Sequence, residues 1–372
     1  MSRAAAYVNL SAIAHNISLI KQQTKKPLLA VVKADAYGHG LIPVAKAAKS
    51  AGADWLGTAL LEEALALRGA KIDGPIIAWL TPLGEDFVAA LENQIDLSVS
   101  SIELLNEIMQ VARQIKIKPR LHVELDTGMT RGGVRDDLDK FLAELVKVKQ
   151  EFELVGLWTH FAQADEPAKT FTQLQLQKFT QISELFHQAG LVPQIKHFSN
   201  SAASINFKDL SQDLIRWGIG MYGLSPDVIN MGNSKKLGLQ PAMKLICKLH
   251  LVKTVAAGAQ VGYGGIGKVN RDTKIAVVNM GYADGIPRIS SNKAGVFVAG
   301  KRAPLLGRVS MDQFVVDLGN DSNAKTGDEV IVFGDGATGE YTVDDWAEAA
   351  NTINYEIVTR IGVRVPRIYV HE

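Results

Sequence analysis

The chain has 372 residues, of which 47% are hydrophobic and 21% charged, a composition typical of a globular enzyme with room for a barrel and a smaller domain. Its formal net charge of +1 gives no electrostatic reason to expect nucleic acid or an acidic membrane surface as a partner. Cys247 is the only cysteine, which excludes an intrachain disulfide and a cysteine-rich zinc site. Because the sequence shows no signal peptide and no membrane-length apolar run, we expect a cytoplasmic enzyme.

Alternating strand-like and helical patterns dominate the first two thirds of the chain. A weak strand pattern over residues 1–9 precedes an amphipathic segment for which Ser11 is a candidate N-cap. Eight apolar runs follow, at residues 28–33, 55–59, 75–80, 95–99, 121–126, 154–160, 195–199 and 214–219. Ser100 and Glu103 have the spacing of a capping box for the helix after the fourth run. The alternation predicts parallel β-α-β units and a (β/α)8 barrel over residues 10–237, with an open doubly wound sheet as the competing fold.

The pattern changes after about residue 238. Apolar and polar residues alternate over 243–251, and further strand-like runs occupy residues 274–280, 296–299, 313–317 and 329–333. One helix is expected near Val343, capped by Thr342. The sequence therefore predicts a mainly β domain at residues 238–372, joined by the N-terminal strand 1–9.

Lys33 ends the first apolar run of the predicted barrel, directly before a glycine-containing polar turn. In such barrels the C-terminal ends of the strands carry the chemistry. A lysine that loses hydration there favours its neutral, nucleophilic amine, which suits it to form a Schiff base. Taken alone, Lys33 is also explained as a lysine whose ammonium reaches solvent past the strand end.

Further residues, most of them polar, are expected at the same barrel mouth. They are Tyr37, Arg131, His160, Asn200, Ser201, Arg216, Gly218 and Ile219. Loops after the seventh and eighth strands are common phosphate sites, and a phosphate site beside an imine-forming lysine indicates pyridoxal 5′-phosphate (PLP). No helical H-E-x-x-H metal motif is present. Singly, Arg131 is also explained as a loop cation, His160 as a core histidine and Ser201 as a helix cap.

Motifs along nearly the whole chain resemble those of the alanine racemases. In the predicted barrel they are A-V-V-K-A-D-A-Y-G-H-G at 30–40, L-D-T-G-M-T-R-G at 125–132, T-H-F-A at 159–162, N-S-A-A at 200–203 and R-W-G-I-G-M-Y-G at 216–223. In the second domain they are V-G-Y-G at 261–264, G-Y-A-D-G at 281–285, G-R-V-S-M-D-Q at 307–313 and T-I-N-Y-E at 352–356. The resemblance implies a (β/α)8 barrel, a C-terminal β domain and a head-to-tail homodimer.

The resemblance also implies an activity, the PLP-dependent interconversion of L-alanine and D-alanine, which supplies D-alanine for peptidoglycan. Lys33 would hold PLP and act as the base on one face of the substrate, and Tyr263 of the partner subunit would act on the opposite face. Two bases on opposite faces can remove a proton from one side and return one on the other. Arg216 would face the pyridine nitrogen, and because arginine stays protonated it cannot give that nitrogen a proton.

By the same resemblance, other residues support these groups. The phosphate would be bound by Tyr37, Ser201, Gly218, Ile219 and Tyr355. Arg131 would contact the cofactor's phenolic oxygen and the substrate carboxylate, which the backbone of Met311 of the partner subunit would also hold. His160 would support Arg216. The substrate entrance and supporting shell from the second subunit would contain Tyr282, Arg288 and Asp312.

Two positions depart from the family pattern. Many members carry a carbamylated lysine where this chain has Glu124. We hypothesise that Glu124 supplies the negative charge directly and pairs with Arg131 through a charge-assisted hydrogen bond. The second departure is Gly262, which stands where relatives often have a serine.

Other functions remain open at the level of sequence. A broader racemase would accept serine or basic amino acids. A decarboxylase of related architecture usually pairs the pyridine nitrogen with a carboxylate, which Arg216 argues against. A non-catalytic PLP carrier would need the barrel and Lys33, but not a second domain that brings Tyr263. An inactive barrel would leave the polar groups at its mouth unexplained.

Overall fold

The described part of the computed structural model, residues 3–371, begins with strand β1 (Ala4–Asn9) and helix α1 (Leu10–Thr24). The side chain of Asn9 caps α1 by accepting hydrogen bonds from Ser11 N (2.9 Å) and Ala12 N (3.2 Å). The expected cap at Ser11 is therefore wrong. Asn9 is the last extended residue, so its carboxamide lies within reach of the free N–H groups of the first turn.

Eight parallel strands form an almost closed barrel. They are β2 (Leu28–Val31), β3 (Trp55–Leu60), β4 (Ile76–Leu80), β5 (Asp96–Val99), β6 (Arg120–Glu124), β7 (Glu153–Trp158), β8 (Ile195–His197) and β9 (Ile215–Trp217). Each strand pairs with the next from β2 to β8, and β9 pairs with β2. Backbone hydrogen bonds from Arg216 N to Ser199 O (3.0 Å) and from Asp213 N to Lys196 O (2.9 Å) bridge the remaining gap. The predicted (β/α)8 fold is confirmed.

Helices connect these strands around the barrel. They are α2 (Leu41–Ser50), α3 (Leu61–Gly69), α4 (Phe87–Glu92), α5 (Ile102–Ile115), α6 (Leu138–Val148), α7 (Phe171–Gln188), α8 (Ser201–Asn206) and, after β9, α9 (Val228–Met231). The cap of α5 is Ser101, which accepts from Leu104 N (3.2 Å). The capping box expected from Ser100 and Glu103 is therefore wrong, because the chain stays extended through Ser101.

The second part of the chain is mainly β. Its strands are β10 (Met243–Val255), β11 (Gln260–Val261), β12 (Gly267–Lys268), β13 (Thr273–Val278), β14 (Gly295–Val298), β15 (Lys301–Pro304), β16 (Phe314–Asp317), β17 (Glu329–Phe333) and β18 (Arg367–Val370). Strand β10 pairs antiparallel with β1, β13 and β17. Strand β1 also pairs parallel with β18, so the N-terminal strand lies inside this sheet.

Two helices accompany the second sheet, α10 (Val343–Ala349) and α11 (Asn354–Thr359). Thr342 caps α10 by accepting from Asp345 N (3.1 Å), which confirms the predicted helix and its cap. Helix α11 approaches the barrel closely. A Cβ atom added at Gly38 would lie 2.3 Å from Val358 O, so this contact between the two parts requires a glycine.

Candidate active site

Lys33 lies at the C-terminal end of the first barrel strand, one residue after Val32. Burial is the main cause that lowers the pKa of Lys33, and the charges of Arg131 and Arg216 lower it further, whereas Glu63 opposes them. A lower pKa increases the fraction of neutral amine, which is the form that attacks a carbonyl. The environment of Lys33 is therefore suited to covalent attachment of an aldehyde cofactor.

The residues after Lys33 form an unusual turn. Ala34–Tyr37 have φ of 52–53° and ψ of 39–54°, which makes one turn of left-handed helix. This conformation costs L-residues about 1–2 kcal/mol each, so surrounding contacts must hold it. The Nδ1 atom of His39 donates to the carbonyl oxygens of Tyr37 (2.9 Å) and Ala36 (3.1 Å), and Arg367 Nε donates to Gly38 O (2.9 Å).

His39 suits this holding role because it is buried and uncharged. Burial lowers the pKa of His39 to about 4, so the ring is neutral near pH 7. Since both of its contacts on Nδ1 are acceptors, that nitrogen must carry the ring proton. The ring also packs on Tyr222, with centroids 4.5 Å apart. The left-handed turn is thus fixed by buried contacts, and it carries Tyr37 into the barrel mouth.

Tyr37 lies close to Tyr355 of α11 and to Gly218, which follows β9. Its ring is 6.2 Å from that of Tyr355, and its Oη atom lies 2.8 Å from where a Cβ at Gly218 would be. Ser201 Oγ accepts from Gly218 N (3.0 Å). Burial raises the pKa of both tyrosines, so their hydroxyls stay protonated and can donate hydrogen bonds to an anion.

Ile219 adds a backbone donor to the same group, because its N–H begins a 3-10 turn and has no partner within that turn. Gly218 leaves space here because it has no side chain. The hydrogen-bond donors near it are two phenols, a serine hydroxyl and a backbone N–H. This set of donors fits a phosphate, and Lys33 lies at the end of the adjacent strand β2. The phosphate and aldehyde ends of PLP are thus matched by residues of this mouth.

The space at Gly218 provides a direct test of this phosphate site. We expect Gly218→Ala to weaken PLP binding by about tenfold or more, since the added Cβ would lie 2.8 Å from Tyr37 Oη. Gly69→Ala is the matched control, because nothing lies within 4 Å of its added Cβ. Fluorescence titration with PLP measures both affinities. Equal affinities in the two variants would contradict the site.

Arg216 is buried at the base of the mouth. Its guanidinium donates to Thr159 O (2.8 Å), His197 O (2.8 Å) and Phe198 O (3.2 Å). Burial, with some help from Arg131, lowers the pKa of Arg216 to about 9, so the side chain remains a cation near neutral pH. Its donors are held by fixed backbone oxygens, which gives the cation a defined orientation.

His160 contacts the same guanidinium, with Nδ1 3.3 Å from Arg216 Nη2. Burial, followed by the charge of Arg216, lowers the pKa of His160 well below its usual value, so the ring is neutral and Nδ1 accepts. Asn200 Nδ2 lies 3.5 Å from the other ring nitrogen. His160 therefore lies where it can support Arg216.

Glu124 and Arg131 line one small cleft together with His160. Burial raises the pKa of Glu124 to about 7, although the charges of Arg131 and Arg216 act in the opposite direction. Within residues 3–371, no hydrogen bond or ion pair joins Glu124 to Arg131. The direct charge-assisted bond that we expected is therefore not formed, and the carboxylate acts on the two arginines at longer range.

The raised pKa predicts a pH-dependent effect of Glu124 on stability. The folded protein binds this proton more tightly than the unfolded chain, whose glutamate has the ordinary pKa of 4.5. The free energy of unfolding therefore falls as pH rises from about 5 to 8, when the native carboxyl must ionise. Glu124→Gln cannot ionise, so we expect it to gain about 1–3 kcal/mol relative to the parent over that pH range.

Urea unfolding near pH 5.5 and pH 8 measures this difference. Glu329→Gln, at an exposed position on β17, is the control and should follow the parent protein at both pH values. An identical pH dependence in Glu124→Gln and the parent would contradict the buried-carboxyl interpretation.

The remaining expected site residues lie on the second part of the chain and are exposed. They are Tyr263, Tyr282, Arg288, Met311 and Asp312. Tyr263 is 71% and Met311 54% exposed. Among the described residues, these side chains make no hydrogen bond, ion pair or ring contact with the group at the barrel mouth. One chain therefore presents two separate sets of expected site residues.

Backbone contacts hold part of the exposed set together. Tyr282 N donates to Ser310 O (3.0 Å), and Ala283 N donates to Met311 O (2.9 Å). Asp312 is paired with Arg364 (2.7 Å). These contacts fix the loops relative to one another.

The sequence analysis did not single out several polar residues inside the barrel. Asp96, His122 and His197 are buried in β5, β6 and β8 and connect to Arg216 through hydrogen bonds. The sequence did contain a signal for these residues, because each is a polar residue within an otherwise apolar strand run. Strands buried on both faces are usually apolar throughout, so polar residues inside them indicate a specific role.

Comparisons with known proteins agree with this arrangement. The family model for the N-terminal domain of alanine racemase matches residues 8–226, and that for the C-terminal domain matches residues 242–369. The chain is 45% identical to the alanine racemase of Thermobifida fusca, covering 99% of this chain and 98% of that protein. It is 44% identical to the alanine racemase of Salinispora arenicola, covering 99% of both.

Solved structures give the same result. The crystal structure of alanine racemase from Streptomyces lavendulae superimposes with a TM-score of 0.97 at 43% identity, covering 100% of this chain and 98% of that one. The Bacillus anthracis enzyme superimposes with a TM-score of 0.91 at 36% identity, covering 100% and 96%. No helix within residues 3–371 has both the length and the apolar character needed to span a membrane. With both domain models matched and full-length relatives at this identity, the chain belongs to the alanine racemase family.

Proposed function

We propose that this protein interconverts L-alanine and D-alanine, with PLP attached through Lys33, as a homodimer whose second subunit supplies Tyr263. The observation that carries the proposal is the partly buried amine of Lys33 at the end of β2, beside a mouth where Tyr37, Ser201, Ile219 and Tyr355 offer hydrogen-bond donors suited to a phosphate. When bound, PLP supplies an electron sink that weakens the Cα–H bond of an amino acid. Membership of the family in both domains supports the racemase function.

Lys33 and Tyr263 are proposed to move the protons. The lowered pKa of Lys33 increases the fraction of neutral amine, whose Nζ atom can accept a proton and return it. Tyr263 of the partner subunit would hold or accept a proton at Oη on the opposite face.

Arg216 is proposed to limit the strength of the electron sink. It remains protonated and has its guanidinium fixed by three backbone oxygens, so it can donate a hydrogen bond but cannot transfer a proton to a ring nitrogen. Arg131, exposed at the mouth, is proposed to bind the substrate carboxylate together with the backbone of Met311 of the partner subunit.

The exposed surface of the second domain supports the dimer. Large apolar side chains in its loops are 39–71% exposed, namely Tyr263, Ile266, Tyr282, Ile289, Met311 and Ile353. Large apolar side chains that are this exposed favour burial against a partner. Because, within residues 3–371, the side chains of Tyr263 and Met311 make no hydrogen bond, ion pair or ring contact with the mouth of their own chain, we propose that they complete the mouth of a second copy.

Chiral chromatography of the products tests this function. The PLP-loaded protein should convert L-alanine to D-alanine, and D-alanine to L-alanine, faster than it racemises serine, lysine or arginine. Formation of no D-alanine by protein that binds PLP would overturn the proposal. The match of both domains, and not the barrel alone, supports an enzyme over a non-catalytic PLP carrier.

A further inference from the structure

A chain of buried polar side chains runs through the barrel interior and ends at Arg216. Asp96 Oδ2 is 3.1 Å from His122 Nε2, and His122 Nδ1 is 3.0 Å from His197 Nε2. His197 Nδ1 is 3.2 Å from Arg216 Nη1. These four side chains come from β5, β6, β8 and β9. The series of hydrogen bonds that joins them crosses the barrel interior from Asp96, at the start of β5, to Arg216 at the mouth.

The chemistry of the two ends dictates where each ring proton lies. A carboxylate only accepts hydrogen bonds and a guanidinium only donates them. Asp96 therefore requires a proton on Nε2 of His122, which leaves Nδ1 of that neutral ring as an acceptor. His197 must then donate from Nε2, and its free Nδ1 accepts from Arg216. Reversing either ring would place two donors or two acceptors against each other.

Both histidines are uncharged in this environment. Burial lowers the pKa of His122, and burial together with the charges of Arg216 and His122 lowers that of His197 well below its usual value. Neutral rings carry one proton each, as the donor order requires. A second proton on either ring would create two facing donors somewhere between Asp96 and Arg216.

Aromatic packing and a glycine fix the planes of the rings. Trp158 stacks on His197 with centroids 6.0 Å apart and planes 9° apart, and Trp55 meets His122 edge-on at 5.5 Å. A Cβ atom at Gly156 would lie 2.0 Å from His122 Nδ1, so the ring is accommodated only because this residue is a glycine. The rings therefore cannot turn freely to accept another donor order.

Asp96, at the end of this hydrogen-bond series that lies away from the mouth, is held in place as well. Arg120 donates to both oxygens of Asp96, from Nε at 2.7 Å and Nη2 at 3.1 Å, and also to Glu153 (3.1 Å). Asp96 is fully buried, and together with Arg120 and Glu153 it borders a cavity at the opposite end of the barrel from the mouth. The carboxylate is thus compensated and oriented before it meets His122.

We propose that Asp96 is a positioning residue for the site at the barrel mouth, which fixes the tautomers of His122 and His197 and thereby the orientation of the Arg216 guanidinium. Its effect on racemisation rests on the proposed function, whereas its effect on the two histidines does not. Asp96, His122 and His197 thus share one role, which is to orient the guanidinium of Arg216, although none of the three reaches the mouth.

The test reads the tautomers directly and the activity separately. In protein labelled with ¹⁵N-histidine, two-bond ¹H–¹⁵N spectra should show both His122 and His197 protonated on Nε2, with assignments from single His→Gln variants. In the Asp96→Asn variant, the ring proton of His122 should move, wholly or in part, from Nε2 to Nδ1. In the same variant kcat should fall about 10- to 100-fold, with KM for alanine and PLP affinity changing less than about threefold.

Glu153→Gln is the matched control, because it removes another partner of Arg120 without touching His122. It should keep both tautomers and stay within about twofold of the parent kcat. An Nδ1 proton on either ring of the unchanged protein would overturn the proposal, and this spectrum does not depend on a variant folding. So would a folded Asp96→Asn protein with the kcat of the control.

A second variant covers failure of Asp96→Asn to fold. Arg120→Lys keeps the carboxylate but removes one of the two hydrogen bonds that orient it, so kcat should fall about threefold beyond the control. A kcat equal to the control would overturn the positioning role. If the unchanged protein shows the expected tautomers but forms no D-alanine, the proposed function fails and the assignment of the buried chain stands.

Discussion

Replacing Lys33 with alanine should lower kcat for alanine racemisation by about 1,000-fold or more, because one side chain supplies both the covalent attachment and one of the two bases. The lowered pKa of Lys33, caused mainly by burial, increases the fraction of the neutral, nucleophilic amine. The visible absorption of the PLP complex should also lose its sensitivity to borohydride. Chiral chromatography and absorption spectra on the same sample measure both effects.

Lys46→Ala is the control for this variant, since Lys46 is exposed on α2, away from the mouth. It should retain the parent activity and the borohydride-sensitive band. A Lys33→Ala protein with more than about a tenth of the parent kcat would contradict the assignment of both roles to Lys33.

Replacing Tyr263 with phenylalanine should lower kcat about 100- to 10,000-fold, because it removes the phenolic oxygen and keeps the ring. Because this side chain is 71% exposed in its own chain and the variant keeps the ring, the variant should keep the parent melting temperature. Tyr341→Phe is the control, because that ring lies under Arg302 in the second domain and belongs to neither set of site residues. The same chiral assay measures all three proteins.

Mixing the two inactive variants tests whether the site is shared. In a dimer of one Lys33→Ala and one Tyr263→Phe chain, one mouth contains both parent residues and the other contains neither. Random exchange makes half of the dimers mixed, so activity should recover to about one quarter of the parent value per chain. No recovery despite demonstrated subunit exchange would show that Tyr263 acts in its own chain or not at all.

The barrel could be predicted from the sequence because its strands are short apolar runs at regular spacing. Helical patterns between them allow only parallel neighbours. The residues at the strand ends then had to meet at one mouth, and Lys33, His160 and Arg216 do so in the structure. Their roles in catalysis stay predictions, which the experiments above address. The division of the chain into two domains between residues 237 and 238 also stays a prediction.

The left-handed turn after Lys33 could not be predicted from its own residues. Ala34–Tyr37 contain neither glycine nor asparagine, the residues that adopt positive φ most readily. Contacts distant in sequence impose the conformation, including Arg367 and the approach of α11 to Gly38. Local propensity is therefore overridden by packing at the point where the site requires it.

The buried chain from Asp96 to Arg216 also lay beyond the sequence. Polar residues inside strand runs were visible, but the pairing of residues 96, 122 and 197 depends on which strand positions face the barrel interior. Likewise, within residues 3–371 the exposed side chain of Tyr263 has no hydrogen-bond or ring partner that would indicate its role. We propose that a second copy of the chain completes that part of the site.

The most direct measurement of the central claim is the fate of the α-hydrogen of L-alanine in deuterated water, followed by borohydride reduction of the same PLP-loaded sample. We expect D-alanine that carries deuterium at Cα, together with a peptide in which reduced PLP is attached to Lys33. Absence of both deuterium exchange and D-alanine, or attachment of PLP to a different lysine, would contradict the assignment of this site.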